Sequence, residues 1–420
     1  MHTIQSPLDV LLGEHLQDLA NQENLAPQEI TSRIRDGRMV LLANPAHTGC
    51  RPTLVGQPAS LKVNANIGTS PFLCDPDLES SKLRTTVEAG AHTVMDLSTG
   101  GDLDGIRMRM LRETALPLGT VPLYSVAQKY ILNQQDPALL SRSEIFEEIA
   151  GQAEQGVDFM TLHCGVTRRA VALAREDGRR MGVVSRGGSL LARWMEHNDA
   201  ENPLLTEYDQ LLRICREHNV VLSLGDGLRP GAVEDAGDGA QWEEVITLGG
   251  LARRARESGA QAMIEGPGHV PLHLIQSQIQ GIKALCHGAP LYVLGPLPTD
   301  IAAGHDHIAG TVGATLAAYY GADFLCYLTP AEHLTLPNEN DVWQGIKASL
   351  IAAHSAEISL GREKALRQNE RVARARSELD WSAMAEHCLD PRLVQKRREG
   401  FASRQECAMC GEFCAVRLFS

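Results

Sequence analysis

The feature that most constrains the fold of this chain is a repeated alternation of short apolar runs with longer helical segments, from residue 62 to residue 328. Short apolar runs that end in turn residues are typical of buried strands, and the segments between them carry apolar residues at helical spacing. Strands that alternate with helices form parallel sheets with right-handed crossovers. The predicted strands are Lys62–Asn66, Thr93–Leu97, Val121–Tyr124, Phe159–His163, Val183–Ser185, Val220–Gly225, Ala262–Glu265, Leu291–Gly295 and Phe324–Leu328.

Nearly every predicted strand ends in a side chain that is capable of chemistry. These ends are Asn66, Asp96, Tyr124, His163, Ser185 with Arg186, Asp226, Glu265, and Thr329 leading to His333. In an eight-stranded parallel barrel all C-terminal strand ends meet at one face, where barrel active sites lie. An open doubly wound sheet would separate half of them, so the series favours a (β/α)8 TIM-type barrel. Nine candidates exceed the eight strands of a barrel, and we expect the first candidate to be the wrong one.

The segments on either side of this pattern divide the chain of 420 residues into four parts. Two amphipathic helical patterns, around Val10–Leu19 and Pro27–Ile34, precede a connection rich in Gly, Pro and Asn. We interpret this start as a helical lid or dimer arm, because nothing in it carries chemistry. The predicted parts are a helical segment over 1–60, the catalytic barrel over 61–336, a helical region over 337–396 and a cysteine-bearing tail over 397–420.

Composition and charge exclude several classes of protein. A net charge of −13 lacks the basic footprint that nucleic acid requires. No apolar run approaches the roughly 20 residues that cross a bilayer, and the N-terminus has no basic segment followed by an apolar core. Seven of the ten cysteines are scattered singly, as small core residues are in a reducing compartment. We therefore expect a cytoplasmic enzyme without nucleic-acid or membrane partners.

The other three cysteines, Cys407, Cys410 and Cys414, lie close together with the spacing C-x2-C-x3-C. Thiolates at this spacing can converge on one metal centre. A [4Fe–4S] cluster normally takes four cysteines, so three would leave one iron open to a substrate or cofactor. A structural zinc ion with a fourth ligand elsewhere in the chain fits the spacing equally well. The spacing alone leaves both metals open.

Two glycine-rich loops that carry an arginine follow predicted strands. Val184–Gly188 leads into a predicted helix over Ser189–His197, whose N-terminus would offer free backbone N–H groups to an anion beside the charge of Arg186. Leu224–Pro230 places Arg229 as a bidentate donor to phosphate or carboxylate. Each loop alone is more often a tight turn than a ligand site. Two loops at neighbouring strand ends indicate a small phosphorylated substrate.

Two further strand ends place imidazoles at the same face of the predicted barrel. Glu265 and His269 lie in one turn, and His333 follows the last strand. A single loop histidine is usually just solvated, whereas imidazoles from two strands can ligate one divalent metal or share proton transfers. Glu265 can act as a general acid or base, or accept a hydrogen bond from a substrate.

Several motifs occur in an unbroken order that covers about residues 62–414. They are Asn64–Ser70, Met95–Gly100, Gly119–Tyr124, Val184–Gly188, Gly225–Arg229, Glu265–His269, Cys326–Pro330 and the three tail cysteines. In this order they resemble the phosphomethylpyrimidine synthase family, radical S-adenosylmethionine enzymes of thiamin pyrimidine biosynthesis. The N-terminal part is similar to the shorter members of the family, which lack an extra N-terminal domain.

The resemblance implies a (β/α)8 barrel, a homodimer and a flexible tail that brings a [4Fe–4S] cluster on Cys407, Cys410 and Cys414 to the barrel mouth of the same or the partner subunit. The open iron would chelate S-adenosylmethionine. With an external electron donor, its cleavage would give a 5′-deoxyadenosyl radical that attacks 5-amino-1-(5-phospho-D-ribosyl)imidazole, called aminoimidazole ribotide.

The resemblance also implies roles for individual residues. Glu265 would be catalytic together with the tail cysteines, and His269 and His333 would bind a second metal, taken as zinc. The residues implied to contact the ribotide are Asn66, Met95, Tyr124, His163, Ser185, Arg186, Gly187, Asp226, Gly227, Leu228, Arg229, Glu265 and Tyr292.

One loop departs from the family pattern. Ala303-Gly304-His305-Asp306-His307 stands where the thiamin enzymes usually read Pro-Gly-Tyr-Asp-His, and Thr335 and Ser355 differ as well. Loss of a proline and exchange of a phenol for an imidazole can change how a radical intermediate fragments near the active-site face. On this ground we expect a radical S-adenosylmethionine lyase of the paralogous kind, 5-hydroxybenzimidazole synthase, which makes the lower-ligand precursor of cobalamin from the same ribotide.

Two alternatives to this function remain open at this point. The first is the thiamin reaction, in which the same ribotide is rearranged to 4-amino-5-hydroxymethyl-2-methylpyrimidine phosphate. The second belongs to another class of protein, a non-catalytic scaffold that binds zinc at the tail cysteines. It is the weaker alternative, because it gives no role to the two arginine-bearing glycine loops.

Overall fold

The computed structural model describes residues 5–419. Two helices, α1 (Pro7–Glu23) and α2 (Pro27–Arg35), precede an antiparallel hairpin formed by β1 (Val40–Leu42) and β2 (Thr53–Val55). The sequence predicted the two helices but an irregular connection in place of the hairpin. The hairpin strands are only three residues long, too short for their alternation to be recognised from the sequence.

Eight parallel strands then close into a barrel, which confirms the predicted fold class. The barrel strands are β3 (Lys62–Ile67), β4 (Thr93–Asp96), β5 (Leu118–Thr120), β6 (Phe159–Leu162), β7 (Val221–Leu224), β8 (Ala262–Gly266), β9 (Leu291–Leu294) and β10 (Phe324–Cys326). The closure pairs β10 with both β3 and β9, so that Phe324 lies opposite Lys62 on one side and Tyr292 on the other.

Helices connect the strands and surround the barrel. They are α3 (Pro76–Ala89), α4 (Leu103–Glu113), α5 (Pro122–Leu132), α6 (Arg142–Gln155), α7 (Arg168–Glu176), α8 (Arg186–Asn198), α9 (Pro203–Thr206), α10 (Tyr208–His218), α11 (Gly239–Ser258), α12 (Ile275–Leu285) and α13 (Asp306–Tyr320). After the barrel follow α14 (Glu339–Ser359), α15 (Glu363–Ser377), α16 (Trp381–His387), α17 (Pro391–Arg398) and α18 (Ala415–Phe419).

Two of the nine predicted strands are corrected by the structure. The first candidate, Lys62–Asn66, is the true strand β3, and the wrong one is Val183–Ser185, a partly exposed loop within the connection from β6 to β7. The third strand ends at Thr120, and Val121–Tyr124 leads into α5 instead. Pro122 explains this shift, because a proline has no N–H for a sheet and is favoured in the first turn of a helix.

The hairpin closes the N-terminal end of the barrel, because alternate side chains of its strands point toward the barrel and toward the N-terminal helices. Val40, Leu42 and Val55 pack against the first residues of barrel strands, such as Phe159 and Phe324. The residues between them face the other way, as the period of two in a strand requires. These residues, Leu41 and Leu54, pack against apolar side chains of α1 and α2. The N-terminal end is thus filled with apolar side chains, and the opposite end is left for a site.

The described chain divides into two compact units, one up to Ala353 and one from His354, so the division falls within α14. The four-part division at residues 60, 336 and 396 remains a prediction. Among the helices of residues 5–419, none combines the length and the apolar character needed to span a bilayer.

Candidate active site

A cavity lies at the C-terminal face of the barrel, where the strand ends converge. Eight of the thirteen predicted ribotide contacts line it: Asn66, Met95, Tyr124, His163, Asp226, Arg229, Glu265 and Tyr292. The rest of its wall is Leu97, Val121, Thr161, Gly266, Val293, Leu294 and Cys326. Acidic, basic and imidazole side chains from separate strands therefore face one space, as the barrel arrangement predicts.

A hydrogen-bond network that the sequence analysis missed fixes the β3 side of the cavity. The Asn64 amide donates to Asn66 Oδ1 and to the Tyr292 hydroxyl, both at 2.7 Å. Asn66 Nδ2 in turn donates to Cys326 Sγ at 3.0 Å. These bonds orient the Asn66 amide before any ligand arrives. The signal was present in the sequence, because Asn64 and Asn66 lie two residues apart on one face of a strand.

Glu265 is an acidic group of the cavity whose pKa is raised by its surroundings. Its side chain contacts the cavity but is otherwise surrounded by protein, and Oε1 accepts hydrogen bonds from Thr161 Oγ1 at 2.6 Å and Ser223 Oγ at 2.5 Å. Burial, together with the negative charge of Asp226, raises the pKa of Glu265 to about 7. A carboxyl that titrates near neutral pH can both donate and accept a proton.

Asp226 and Arg229 form an ion pair inside the cavity. Arg229 Nη1 donates to Asp226 Oδ1 at 3.0 Å. Burial raises the pKa of Asp226, and the charge of Arg229 opposes that shift. Within residues 5–419, Asp226 Oδ2 is buried and has no hydrogen-bond partner. The pair therefore offers one free carboxylate oxygen to a ligand.

His163 is held as a neutral imidazole beside this pair. Its Nε2 lies 3.1 Å from Ser185 Oγ. Burial and the nearby positive charge of Arg229 lower the pKa of His163 to about 3. Its Nδ1 is buried and lacks a partner among the described residues, so this nitrogen is available to a ligand.

The first glycine loop does not follow a barrel strand, but its residues contact side chains that line the cavity. Helix α8 begins at Arg186, three residues earlier than predicted, and Ser185 caps it by accepting from the Gly188 N–H at 3.1 Å. The Arg186 guanidinium lies 4.6 Å from the centre of the Tyr124 ring. A Cβ on Gly187 would lie 2.2 Å from the His163 ring. The helix N-terminus and the Arg186 charge are thus placed beside the cavity.

The second glycine loop touches the first and is supported from behind. A Cβ on Gly188 would lie 2.2 Å from the carbonyl oxygen of Gly227, so the two backbones can approach only because neither residue has a side chain. Leu228, predicted as a ribotide contact, is fully buried with its side chain in an apolar cluster with Ala170. The Leu228 side chain therefore packs into the protein and does not line the cavity.

Glu244 supports the second glycine loop and was missed by the sequence analysis. It lies on α11 and accepts a hydrogen bond from the Leu228 N–H at 2.8 Å. Burial and the charge of Asp226 raise the pKa of Glu244 to about 8. No motif marks this residue, because it is an ordinary helix position that only the fold brings under the loop.

A second cavity adjoins the first and shares Asn66 and Leu97 with it. Its wall comes from the chain after β3, the chain after β10 and Arg186; the residues are Asn66, Ile67, Gly68, Thr69, Ser70, Leu97, Thr99, Arg186, Tyr327, Thr329, Glu332, His333, Thr335, Leu336 and Pro337. The two cavities are therefore neighbours at the C-terminal face of the barrel.

His269 and His333, called here the histidine pair, are brought together as predicted, with ring centres 5.5 Å apart. His269 Nδ1 lies 2.7 Å from Asp300 Oδ1, and His333 Nδ1 lies 3.4 Å from Asp306 Oδ1. Carboxylates at both Nδ1 atoms leave Nε2 of each ring for a metal, the arrangement usual for histidine ligands. The pair fits a divalent ion whose other positions are taken by water or substrate.

The three tail cysteines lie in the second compact unit. Trp381 Nε1 donates to the Gln405 carbonyl at 2.8 Å, and Arg398 lies 4.3 Å from the Trp381 ring centre, which braces the chain before Cys407. The backbone N–H groups of Cys410 and Met409 lower the pKa of the Cys407 thiol. Cys410 is exposed, whereas Cys414 is buried. A thiol whose thiolate is favoured in this way suits metal binding.

One other group of potential ligands lies at the opposite end of the barrel. Within residues 5–419, His47, Cys50 and Asp158 are the one set of three side chains whose ligand atoms all lie within 4.8 Å of each other. Asp158 is already occupied, because it accepts from His47 Nδ1 and from the Leu118 N–H, both at 2.7 Å. This group is a buried network that ties the hairpin to the barrel, and it does not fit the predicted second metal as well as the histidine pair does.

The fold and the site together are typical of one class of protein, a barrel enzyme with acidic, basic and imidazole groups in one cavity, here in a chain that also carries three clustered cysteines. The profile described as the Radical SAM ThiC family matches residues 4–420. The phosphomethylpyrimidine synthase of Methanopyrus kandleri is 47% identical over 409 residues, which cover 96% of this chain and 95% of that protein. The synthase of Desulfitobacterium hafniense is 46% identical over 422 residues, covering 100% and 98%. The chain belongs to the Radical SAM ThiC family.

Membership of this family implies a [4Fe–4S] cluster and S-adenosylmethionine as cofactors, and it establishes that the protein is an enzyme. It also overturns the alternative of a non-catalytic zinc-binding scaffold. A solved structure of dihydropteroate synthase from Stenotrophomonas maltophilia matches 72% of this chain and 94% of that chain at 12% identity, with a TM-score of 0.41. A likeness this distant does not indicate function.

The predicted product, 5-hydroxybenzimidazole, is wrong. The relatives that match nearly the whole chain at 46–47% identity carry the name phosphomethylpyrimidine synthase, and none of these names points to cobalamin. The structure shows why the loop at 303–307 misled the prediction. His305, which replaces the expected tyrosine, is exposed and lines neither of the two cavities. A change there does not touch a ligand in the cavities.

Proposed function

We propose that this protein is a phosphomethylpyrimidine synthase, a radical S-adenosylmethionine lyase that rearranges aminoimidazole ribotide to 4-amino-5-hydroxymethyl-2-methylpyrimidine phosphate. The observation that carries the proposal is the convergence of eight predicted ribotide contacts on one cavity at the C-terminal face of the barrel. The names of the relatives that match along the whole chain support the same reaction.

The phosphate of the ribotide is proposed to bind at the two glycine loops. Helix α8 presents its N-terminus, where Ser185 already caps the Gly188 N–H, and Arg186 adds a charge held over the Tyr124 ring. A helix N-terminus and a guanidinium both favour a phosphate dianion. Side chains on Gly187 or Gly188 would collide with His163 or with the Gly227 backbone, so the two glycines let the helix N-terminus pack closely against the second loop.

The imidazole end of the ribotide is proposed to lie against Glu265, Asp226 and His163. Glu265 can hold or release a proton near neutral pH, as its raised pKa of about 7 indicates. His163 remains neutral and presents Nδ1, and Asp226 presents Oδ2. Glu265 can move protons at the amino group and ring nitrogens while the carbon skeleton rearranges, and His163 and Asp226 offer hydrogen-bond partners that hold the ring in place.

The cofactors are assigned to the remaining sites. Cys407, Cys410 and Cys414 are proposed to hold the [4Fe–4S] cluster, which with S-adenosylmethionine supplies the radical that starts the reaction. The histidine pair is proposed to hold a zinc ion. Following the family resemblance, we also propose a homodimer and a separate electron donor, which sedimentation and reductant-exchange assays can test.

The test is reconstitution of the cluster under anaerobic conditions. The wild-type protein should take up iron and sulfide, show a broad iron–sulfur absorbance, and cleave S-adenosylmethionine in the presence of dithionite. Cys407→Ala should lose both properties. Cys388→Ala is the matched control, because Cys388 lies in the same unit but makes a local hydrogen bond to Ala385. A Cys407→Ala variant that keeps cluster and cleavage would refute the proposal.

A further inference from the structure

Asp300 lies outside both cavities, and its carboxylate contacts both the histidine pair and a backbone N–H group. Its Oδ1 lies 2.7 Å from His269 Nδ1, and its Oδ2 accepts a hydrogen bond from the Val233 N–H at 3.0 Å. The backbone of His269 is held as well, because its N–H donates to the Pro230 carbonyl at 3.1 Å. Both partners of this carboxylate–imidazole contact are therefore anchored to the fold, so the orientation of the ring is set by the protein.

His333 is oriented by a different arrangement. Its φ of 61° is left-handed, a conformation in which His, like Asn and Asp, is enriched among the residues other than Gly. Asp306 Oδ1 lies 3.4 Å from its Nδ1. Asp306 is the first residue of α13, where the helix N-terminus favours a carboxylate. Within the part of the chain that the structure describes, its Oδ2 is buried and has no hydrogen-bond partner.

We propose that Asp300 and Asp306 are positioning residues for the metal of the histidine pair. Each carboxylate holds the proton of its histidine on Nδ1, so that Nε2 carries the free electron pair and the ring cannot rotate away. This inference rests on the proposed function in one respect, namely that the histidine pair binds a divalent metal. It adds two residues, Asp300 from the segment between β9 and α13 and Asp306 from the start of α13. Asp306 also belongs to the loop over 303–307 that departs from the family pattern.

The charge of the carboxylates distinguishes this role from simple packing. A carboxylate beside a ligating histidine raises the basicity of the ring, and loss of such a partner typically costs about 10- to 100-fold in metal affinity. Asparagine has nearly the same shape and keeps an oxygen acceptor but loses the charge. Alanine loses both. Positioning by charge and hydrogen bond therefore predicts a graded series, whereas packing alone predicts that asparagine behaves like the wild type.

The experiment measures zinc affinity by competition with a chromophoric chelator. The full-length protein is used with its cluster reconstituted, so that iron occupies the tail cysteines. We expect Asp300→Ala and Asp306→Ala to weaken zinc binding about 10- to 100-fold, and Asp300→Asn and Asp306→Asn to fall between these and the wild type. Asp209→Asn is the control, because Asp209 is exposed and paired with Arg254, far along the chain from both histidines. Zinc-free melting temperatures establish that each variant is folded.

The outcomes separate this inference from the proposed function. If the four aspartate variants bind zinc as tightly as the wild type while His269→Ala and His333→Ala do not, the positioning role is refuted and the histidine pair stands. If asparagine equals the wild type and only alanine weakens binding, the carboxylates act by packing and the inference fails. If the histidine variants also keep full zinc affinity, the proposed metal site itself is refuted.

Discussion

At the scale of single residues, burial decides which groups in the cavity are charged. Glu265 and Glu244 have raised pKa values because burial disfavours their charged forms, and the negative charge of Asp226 adds to the shift. His163 has a lowered pKa for the corresponding reason, with Arg229 as the neighbouring positive charge. The cavity therefore brings several titratable groups together around the Asp226–Arg229 ion pair.

The Glu265 shift predicts a pH dependence of stability. The unfolded chain holds this proton up to a pKa of 4.5, whereas the folded protein holds it to about 7. The folded state thus binds more protons in this window, and the free energy of unfolding falls as pH rises from about 4.5 through 7. Glu265→Gln removes this loss, so its stability relative to the wild type should rise across the window by up to about 3 kcal/mol.

Urea unfolding of the ligand-free wild type and Glu265→Gln at pH 5 and pH 8.5 checks this prediction. Both proteins share every other titrating group, so the difference between them isolates Glu265. Parallel pH profiles for the two proteins would show that folding does not raise the pKa of the Glu265 carboxyl. Its proposed acid–base role would then lose its basis.

At the scale of elements, the second glycine loop follows a strand as predicted, but the element before the first glycine loop was predicted wrongly. The sequence placed Val183–Ser185 on a strand, whereas the structure places it in a loop that enters α8 at Arg186. Short apolar runs cannot be assigned without their tertiary partners, since burial on both sides is what makes such a run a strand. The motif residues were still recognised, because glycine allows a close backbone approach and arginine supplies a charge whether the segment is a strand end or a loop. Glu244 could not be found, since it acts through the fold alone.

The close approach of the loops predicts a strong effect of one added carbon. In Gly188→Ala the new Cβ would meet the Gly227 carbonyl oxygen at 2.2 Å, so one loop must move by a large fraction of an ångström. A displacement of about 1 Å in a positioning group can reduce kcat/KM on the order of 100-fold. We expect such a loss with little change in cluster content, measured by turnover and by iron analysis.

Gly151→Ala is the matched control for that change. Gly151 is a helical glycine of α6, and a Cβ added there has no atom within 4 Å. The control should be as active as the wild type and slightly more stable, since alanine favours a helix by about 1 kcal/mol over glycine. Equal activity of Gly188→Ala and Gly151→Ala would contradict the tight packing of the two loops.

At the scale of the whole molecule, stability and chemistry lie at opposite ends of the barrel. The N-terminal end is closed by the hairpin and by the His47–Asp158 network, and the C-terminal end carries both cavities. The barrel and its active face followed from the sequence, because polar residues recur at strand ends. The identity of the product could not be predicted from the sequence, because the effect of a loop substitution depends on how far the loop lies from the site. His305 proved to be exposed and outside both cavities.

This separation predicts that core changes at the hairpin leave catalysis intact. Leu42 is fully buried where the hairpin meets the barrel. Leu42→Ala should lower the free energy of unfolding by about 2–5 kcal/mol, through lost burial and the cavity left behind. The KM for the ribotide should stay within about twofold, because the residue lies at the other end of the barrel. A large rise in KM without loss of stability would contradict the division of the barrel into two ends.

The central claim is the identity of the product, and it is tested most directly by mass spectrometry of one reaction. The reconstituted protein is incubated under anaerobic conditions with aminoimidazole ribotide, S-adenosylmethionine and reductant, beside Cys407→Ala as a control. We predict 4-amino-5-hydroxymethyl-2-methylpyrimidine phosphate in the wild-type reaction and none in the control. A different product from the ribotide, or the same product in the control, would contradict the account.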